Sequence, residues 1–377
     1  MSISAKLFSA PRLWATLRLE PVILGWEDKY DTWYLLTGGS HFGKISKVLE
    51  YLESMSPEQD NDLVLMIDAF DIWFQLPPQT LIERYYSINE RANKRISEHM
   101  GEAAEIGNIK QTIVFGAGKR CAPNQHHTIA CYPVPVSPVH DGIYGANTDT
   151  VMGRNRWTSN RQRYLNSGYI IGPAKDMRTM FKTVWEKAQN WQKAHHSDNG
   201  SGSSDLAYHA SAQAVFAVVS GEQEYQREVM RRRHASSWTG QHKNQAPVNK
   251  IEGTEIGDVL NPPFTHEKME PLEGRPCEYG IGLDYFSSLY TNICMDTIPV
   301  MPHFNGQKDA RERQWSLFWV QQYGKSLVEN SQRLRGRQIG ASIWKKNERT
   351  QFIGWDALCP ANYTEELFRG SDLSLVR

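Results

Sequence analysis

At 377 residues the chain is long enough for one large domain with insertions or for two modest ones. Its 42 Lys plus Arg balance 42 Asp plus Glu, which leaves no global field to favour nucleic acid or an anionic membrane surface. No run approaches the roughly 18–20 apolar residues needed to cross a bilayer.

The 40% apolar content supports a substantial core. The 12 Trp and 16 Tyr are core material first, and in charge-balanced enzymes they also stack on sugars and bases. The opening MSISAKLFSAPRLW lacks the apolar stretch of a signal peptide. The chain is therefore expected to be cytosolic, or to be a piece whose targeting segment lies elsewhere.

Val22–Leu24 and Trp33–Leu36 read as short buried strands. TGGSHFGK follows, and Gly38, Gly39 and Gly43 predict a flexible loop there. Beyond it Ile45, Val48, Leu49 and Leu52 fall at i, i+3, i+4 and i+7, one face of a helix.

LVLMIDAFDIWFQLP (63–77) is the most informative stretch. Leu63–Ile67 is a continuous apolar run, which predicts a strand covered on both faces. Asp68 and Asp71 then stand at its carboxyl end, where open α/β sheets bind ligands. Two acids so close repel each other unless a cation or a donor network holds them. The plainer reading is that they cap the helix that follows.

A helix is expected near 79–97 and a strand at Thr112–Phe115, running into GAGKR. Strands and helices alternating in this way predict an α/β fold with a mostly parallel sheet flanked by helices. Residues 117–162 read as loop, and RYLNSG places Asn166 and Ser167 in a turn after a strand. Met177, Met180, Phe181, Val184 and Trp185 form a helix face. HHSDNGSGSS (195–204) reads as a flexible loop leading into a helix that starts at Asp205, a candidate N-cap.

Residues 222–278 look like an insertion whose basic MRRRH is solvated surface. Order returns at YGIGLDYFSSLY and DTIPVMPHFNGQK, then at a helix with Trp315, Phe318 and Trp319 on one face. No internal repeat and no clear linker is visible, so one catalytic domain with insertions is the simplest organisation.

Of the five cysteines, none forms a C-x-x-C zinc pattern. Cys121 and Cys131 flank APNQHHTIA, a loop that a disulfide could close, with buried free thiols as the alternative. The cysteines lean toward an oxidising compartment. The sequons at Asn199 and Asn362 add little.

Taken in order, GGSHFGK, DAFD, YLNSGYIIG, SSDLAYH, LDYFSSLYTN and HFNG resemble the glycosyltransferase domain of procollagen lysyl hydroxylases and related sugar-nucleotide transferases of GT-A type. That family runs from a Gly-rich loop with a following Lys through Asp-Ser-Tyr-Asp, Asn-Ser-Gly-Gly, Asp-Asp-Gln and Leu-Asp-His to His-Gly-Asn-Gly. The resemblance spans roughly residues 22–310 and has no counterpart beyond. It implies a GT-A (Rossmann-like) catalytic domain over 1–310, followed by a helical extension over 311–377.

The resemblance also implies a site. Asp68, Asp71 and His303 would hold Mn2+ or Mg2+, hard cations suited to carboxylate and imidazole ligands. Gly38, Gly39, Lys44, Phe70, Ser167, Asn305, Gly306 and Lys308 would bind the UDP-sugar donor. Phe70 stands where the family has tyrosine, its ring available to stack on uracil, and Lys308 sits one position off the family lysine.

Asn166 and Ser167 would orient the sugar, although local turn hydrogen bonds explain them equally. Asp205 and Asp284 occupy the family's acidic positions, and Ser204 replaces one of a pair of acids.

The expected activity is transfer of galactose or glucose from a UDP-sugar to a hydroxyl of a glycan or glycoprotein, in the secretory lumen. Any membrane attachment would come through an anchor outside this chain. One alternative is a non-catalytic carbohydrate- or nucleotide-binding relative. The other is a phosphatase with an aspartate nucleophile, disfavoured because its two acids are separated by one residue rather than two.

Overall fold

The computed structural model describes residues 21–26, 39–68, 71–76, 78–139, 143, 160–197, 211–234, 250–251, 254–255, 298–304 and 340–358. The chain divides into two compact units built from interleaved segments. The first takes Met1–Lys29, Ile67–Arg84 and Met269–Arg377; the second takes Tyr30–Met66 and Tyr85–Lys268. The described elements are strands and helices in alternation, an α/β chain.

In the second unit, α1 (Gly39–Ser54) precedes β2 (Leu63–Ile67), which pairs with β4 (Tyr164–Pro173), and β4 pairs in turn with β3 (Val114–Gly118). α2 (Pro78–Met100) begins in the first unit and ends in the second. Then come α3 (Glu102–Ile106), α4 (Ala174–Ser197) and α5 (Ala212–His234), followed by a short hairpin of β5 (Lys250–Ile251) and β6 (Thr254–Glu255).

The apolar face predicted for α1 is the one buried: Ile45, Val48, Leu49 and Leu52, joined by Phe42. It packs on α4, whose Met177, Met180, Phe181 and Val184 are buried as predicted. Trp185, placed on that same face, is only half-buried. Phe216 of α5 meets Phe115 of β3 edge-on at 5.7 Å and Phe181 of α4 at 5.3 Å, tying sheet and helices into one core. Arg178 bridges α1 and the following loop, its Nε donating to Leu52 O at 2.8 Å and its Nη1 to the Asp60 carboxylate at 2.9 Å.

In the first unit, β1 (Val22–Leu24) pairs in parallel with β7 (Gly340–Trp344), and β7 pairs antiparallel with β8 (Gln351–Gly354). α6 (Trp355–Leu358) follows directly. The C-terminal stretch expected to be a helical extension therefore supplies two strands among its described residues. The alternation in GASIW buries Ala341 and Ile343 and leaves their neighbours half-covered, a strand period that a search for helical faces overlooks.

Several other expectations are corrected. TGGSHFGK is not a loop from Gly39 onward, because α1 begins there. Burial of Phe42, one turn before Ile45, carries the helix back through glycines that each cost it about 1 kcal/mol. β2 is not covered on both faces: only Met66 is buried, as befits an edge strand. The sheet neighbours of known direction include one parallel pair, with β3–β4, β5–β6 and β7–β8 antiparallel.

β3 starts two residues later than expected and takes in GAG of GAGKR. The insertion expected from residue 222 is helix as far as His234, and Gln223, Gln226, Arg227 and Met230 are buried in it. Its sparse apolar periodicity hid a helix that buries polar side chains. Within MRRRH only Arg232 is exposed, and Arg231 and Arg232 both donate to Glu228 and hold that carboxyl down at about 2. The helix start expected at Asp205 lies outside the described residues, and α5 runs from Ala212.

Trp33–Leu36, the remainder of 195–204 beyond Ser197, YGIGLDYFSSLY, the Trp315 helix, both sequons, Cys277, Cys294 and Cys359 lie outside the described residues. Among the described residues no helix is long and apolar enough to cross a membrane.

Cys121 and Cys131 form the disulfide that the loop allowed. Both are buried, with Ala130, against Ala217 and Val218 of α5, and Ile129, Tyr164 and Trp191 pack around them. Closing a loop with a sequence separation of 10 restricts the unfolded chain by about 2 to 3 kcal/mol. Replacing both cysteines by serine is expected to lower stability by that amount, read as a fall in the urea midpoint. An unchanged midpoint would mean that the packing alone holds the loop.

Candidate metal centre

Asp68 follows β2 directly, and Asp71 lies in the turn after it. His303 is far away in sequence, yet segment 298–304 runs antiparallel to segment 71–76 and brings it alongside. Phe304 N donates to Asp71 O at 2.7 Å, Trp73 N to Pro302 O at 3.2 Å, and Gln75 N to Val300 O at 2.9 Å. Ile72 and His303 face each other as a bridge. Each step forward along the first segment is matched by one step back along the second, so the register is unbroken across both ends. Trp73 is almost fully buried, and its ring lies 4.3 Å from that of Phe304, anchoring the residue next to His303.

One ligand atom from each of Asp68, Asp71 and His303 lies within 4.8 Å of the others. The His303 Nε2 to Asp71 Oδ2 distance is 3.4 Å. All three are half-buried, so an ion can reach them. A small divalent cation with ligands at about 2.1 Å places them roughly 3 to 4.2 Å apart, so the observed group needs only a slight contraction. Two carboxylates and one imidazole suit a hard or borderline divalent cation. The residues present fit such an ion.

Neither acid stands at the N-cap of the helix that follows. α2 starts at Pro78, seven residues past Asp71.

The second unit holds the remaining described candidates. Lys44, on α1, donates from Nζ to Ser167 O at 2.7 Å. Asn166 and Ser167 do not lie in a turn; they are inside β4. There the register with β3 slips between Phe115, paired with Ile170, and Gly116, paired with Asn166. This bulge leaves the residues between them off the ladder.

Side chains bond the backbone in and beside the bulge. Asn166 Oδ1 accepts from Gly168 N at 2.9 Å, and Gln213 Oε1 accepts from Ser167 N at 2.6 Å while its Nε2 donates to Leu165 O. The expected local hydrogen bond of Asn166 is present, inside a bulge rather than a turn.

Gln213 and Gln75 were both missed from sequence. Gln213 sits within SAQAVF beside an apolar helix run that reads as core, and Gln75 within an aromatic stretch. Nothing short of the backbone partners reveals either. Gly39 lies in the first turn of α1, whereas Gly38, Phe70, Asp205, Asp284, Asn305, Gly306 and Lys308 lie outside the described residues.

Compared with known proteins, the chain matches no family model and no curated sequence.

Proposed function

We propose that the chain is a metal-dependent glycosyltransferase of GT-A type, which moves galactose or glucose from a UDP-sugar to a hydroxyl of a glycan or glycoprotein. The observation that carries this reading is the grouping of Asp68, Asp71 and His303 within 4.8 Å. It fits both a divalent cation and the order of motifs along the sequence. A cation held there, Mn2+ or Mg2+, supplies charge to neutralise the departing diphosphate.

In this reading the acceptor hydroxyl attacks the anomeric carbon as the bond to the diphosphate oxygen breaks, and UDP leaves with the electron pair. Asp205 and Asp284 are the candidates to take the hydroxyl proton. Asn166 accepts from Gly168 N through Oδ1, and its Nδ2 is assigned to donate to a sugar hydroxyl. Lys44, Phe70, Ser167, Asn305, Gly306 and Lys308, with Gly38 and Gly39, are assigned to the nucleotide and its phosphates. The buried disulfide suits an oxidising compartment, which supports a lumenal location, in the Golgi or endoplasmic reticulum.

The test is calorimetric titration of UDP into the protein with Mn2+ and then with chelator. UDP binding that requires Mn2+, followed by hydrolysis or transfer from UDP-galactose or UDP-glucose, is the expected result. Binding without turnover of any UDP-sugar would assign a carbohydrate- or nucleotide-binding relative instead. No UDP binding under any metal condition would remove the glycosyltransferase reading.

A further inference from the structure

We infer that Gln75 is a positioning residue for the metal centre: it holds segment 298–304 in the register that delivers His303. The inference rests on the reading of Asp68, Asp71 and His303 as metal ligands. Gln75 acts on the segment that carries a ligand. Its backbone N–H donates to Val300 O at 2.9 Å, and its side-chain Nε2 donates to Pro299 O at 2.6 Å. The side chain is almost fully buried, at 1% exposure.

The composition of IPVMPHF explains why a side chain is needed there. Pro302, which faces Trp73, has no N–H, so a donor that this ladder would use is missing, and Pro299 removes another from the segment's outer edge. The backbone contacts between the two segments are correspondingly few. Gln75 grips two consecutive carbonyls, three and four residues before His303, and so fixes where the strand enters. Arg84 Nη1 reaches Ile298 O at 2.9 Å, one residue farther out. A segment held at Pro299 and Val300 cannot slide by one residue, and such a slip would turn the imidazole away from the carboxylates.

The experiment measures binding of Mn2+ alone to the full chain, from the loss of the free-ion electron paramagnetic signal. Spin-echo spectra of the bound ion report nitrogen modulation from a directly coordinated imidazole. Gln75→Leu keeps the volume and the backbone bond but removes the Nε2 donor. It is expected to weaken Mn2+ binding about 10- to 100-fold, the range seen when partners behind a metal ligand are removed, and to reduce the nitrogen modulation. Arg84→Met is expected to weaken binding less than about threefold.

Combining Gln75→Leu with His303→Ala separates a positioning role from general loosening, because groups acting through one another are not additive. The double variant should bind no more weakly than His303→Ala alone. Should Gln75→Leu fail to fold, Gln75→Asn, which draws the amide back by one methylene, gives the same comparison. Mn2+ binding by Gln75→Leu equal to wild type, or a fully additive double variant, would overturn the inference and leave the metal centre standing. A wild-type chain that takes up no Mn2+ would overturn both.

Discussion

Replacing Asp71 with Asn is expected to remove the stabilisation that Mn2+ gives the protein, while leaving the metal-free chain as stable as before or slightly more so. The sign follows from two opposing terms. Without a cation, the Asp68 and Asp71 carboxylates and the His303 ring crowd within 4.8 Å, and the two like charges repel. Removing one charge relieves that repulsion. The fold should tolerate the change, because Asp71 joins the antiparallel pair through its backbone oxygen, which the substitution leaves in place.

With a cation, the balance reverses. An ion that binds only the folded state stabilises it by about 2.7 kcal/mol at 100 times its dissociation constant. Loss of one of two charged ligands should weaken binding at least about 100-fold, so that gain should vanish. The measurement is thermal unfolding in chelator and in Mn2+, for wild type, Asp71→Asn and His303→Ala. A rise in Tm with Mn2+ confined to wild type is expected. Equal rises in all three would show that any ion bound sits elsewhere.

The two carboxylates were legible in the sequence because a greasy run ending in D-x-x-D is a local pattern, and local patterns survive without coordinates. His303 was reached only through the resemblance, since nothing in MPHFNGQK by itself distinguishes a ligand from a surface histidine. What brings it into place is a ladder between two distant segments, written in backbone bonds that carry no residue code. The helix faces of α1 and α4 were readable for the opposite reason: their periodicity is the packing.

Polar structure was the part that failed. Gln75 is buried and Gln213 half-buried where each meets a particular backbone partner. Burial of polar groups follows from satisfied bonds rather than from composition. The bulge at Asn166 escaped notice for the same reason: NSG signals a break in regular pairing, but a turn and a bulge share that signal.

Gly221→Ala should be the most damaging small substitution in the second unit. Glycine inside an exposed helix is ordinarily a weakness, and alanine there gains about 1 kcal/mol. At Gly221 the sign inverts. A Cβ built on this residue would sit 1.8 Å from Ile129 O and 2.7 Å from Ile129 C. Those atoms are backbone, and they belong to the loop that the Cys121–Cys131 bridge closes and that Ala130 and Cys131 seat against Ala217 and Val218.

Neither side can move cheaply. α5 is fixed by Phe216 between Phe115 and Phe181, and the loop is held by its disulfide. Overpacking of a well-filled core costs roughly 1 to 3 kcal/mol, and an overlap with rigid backbone belongs at or beyond the top of that range. A loss of at least about 3 kcal/mol in urea unfolding is therefore expected.

The same geometry predicts the coupling. Reducing the disulfide, or replacing both cysteines with serine, frees the loop to retreat from α5, so alanine at 221 should cost less in that background than in the intact protein. Equal cost in both backgrounds would place the obstacle in the helix rather than in the loop. A Gly221→Ala protein as stable as wild type would mean that the loop does not lie against α5 in solution.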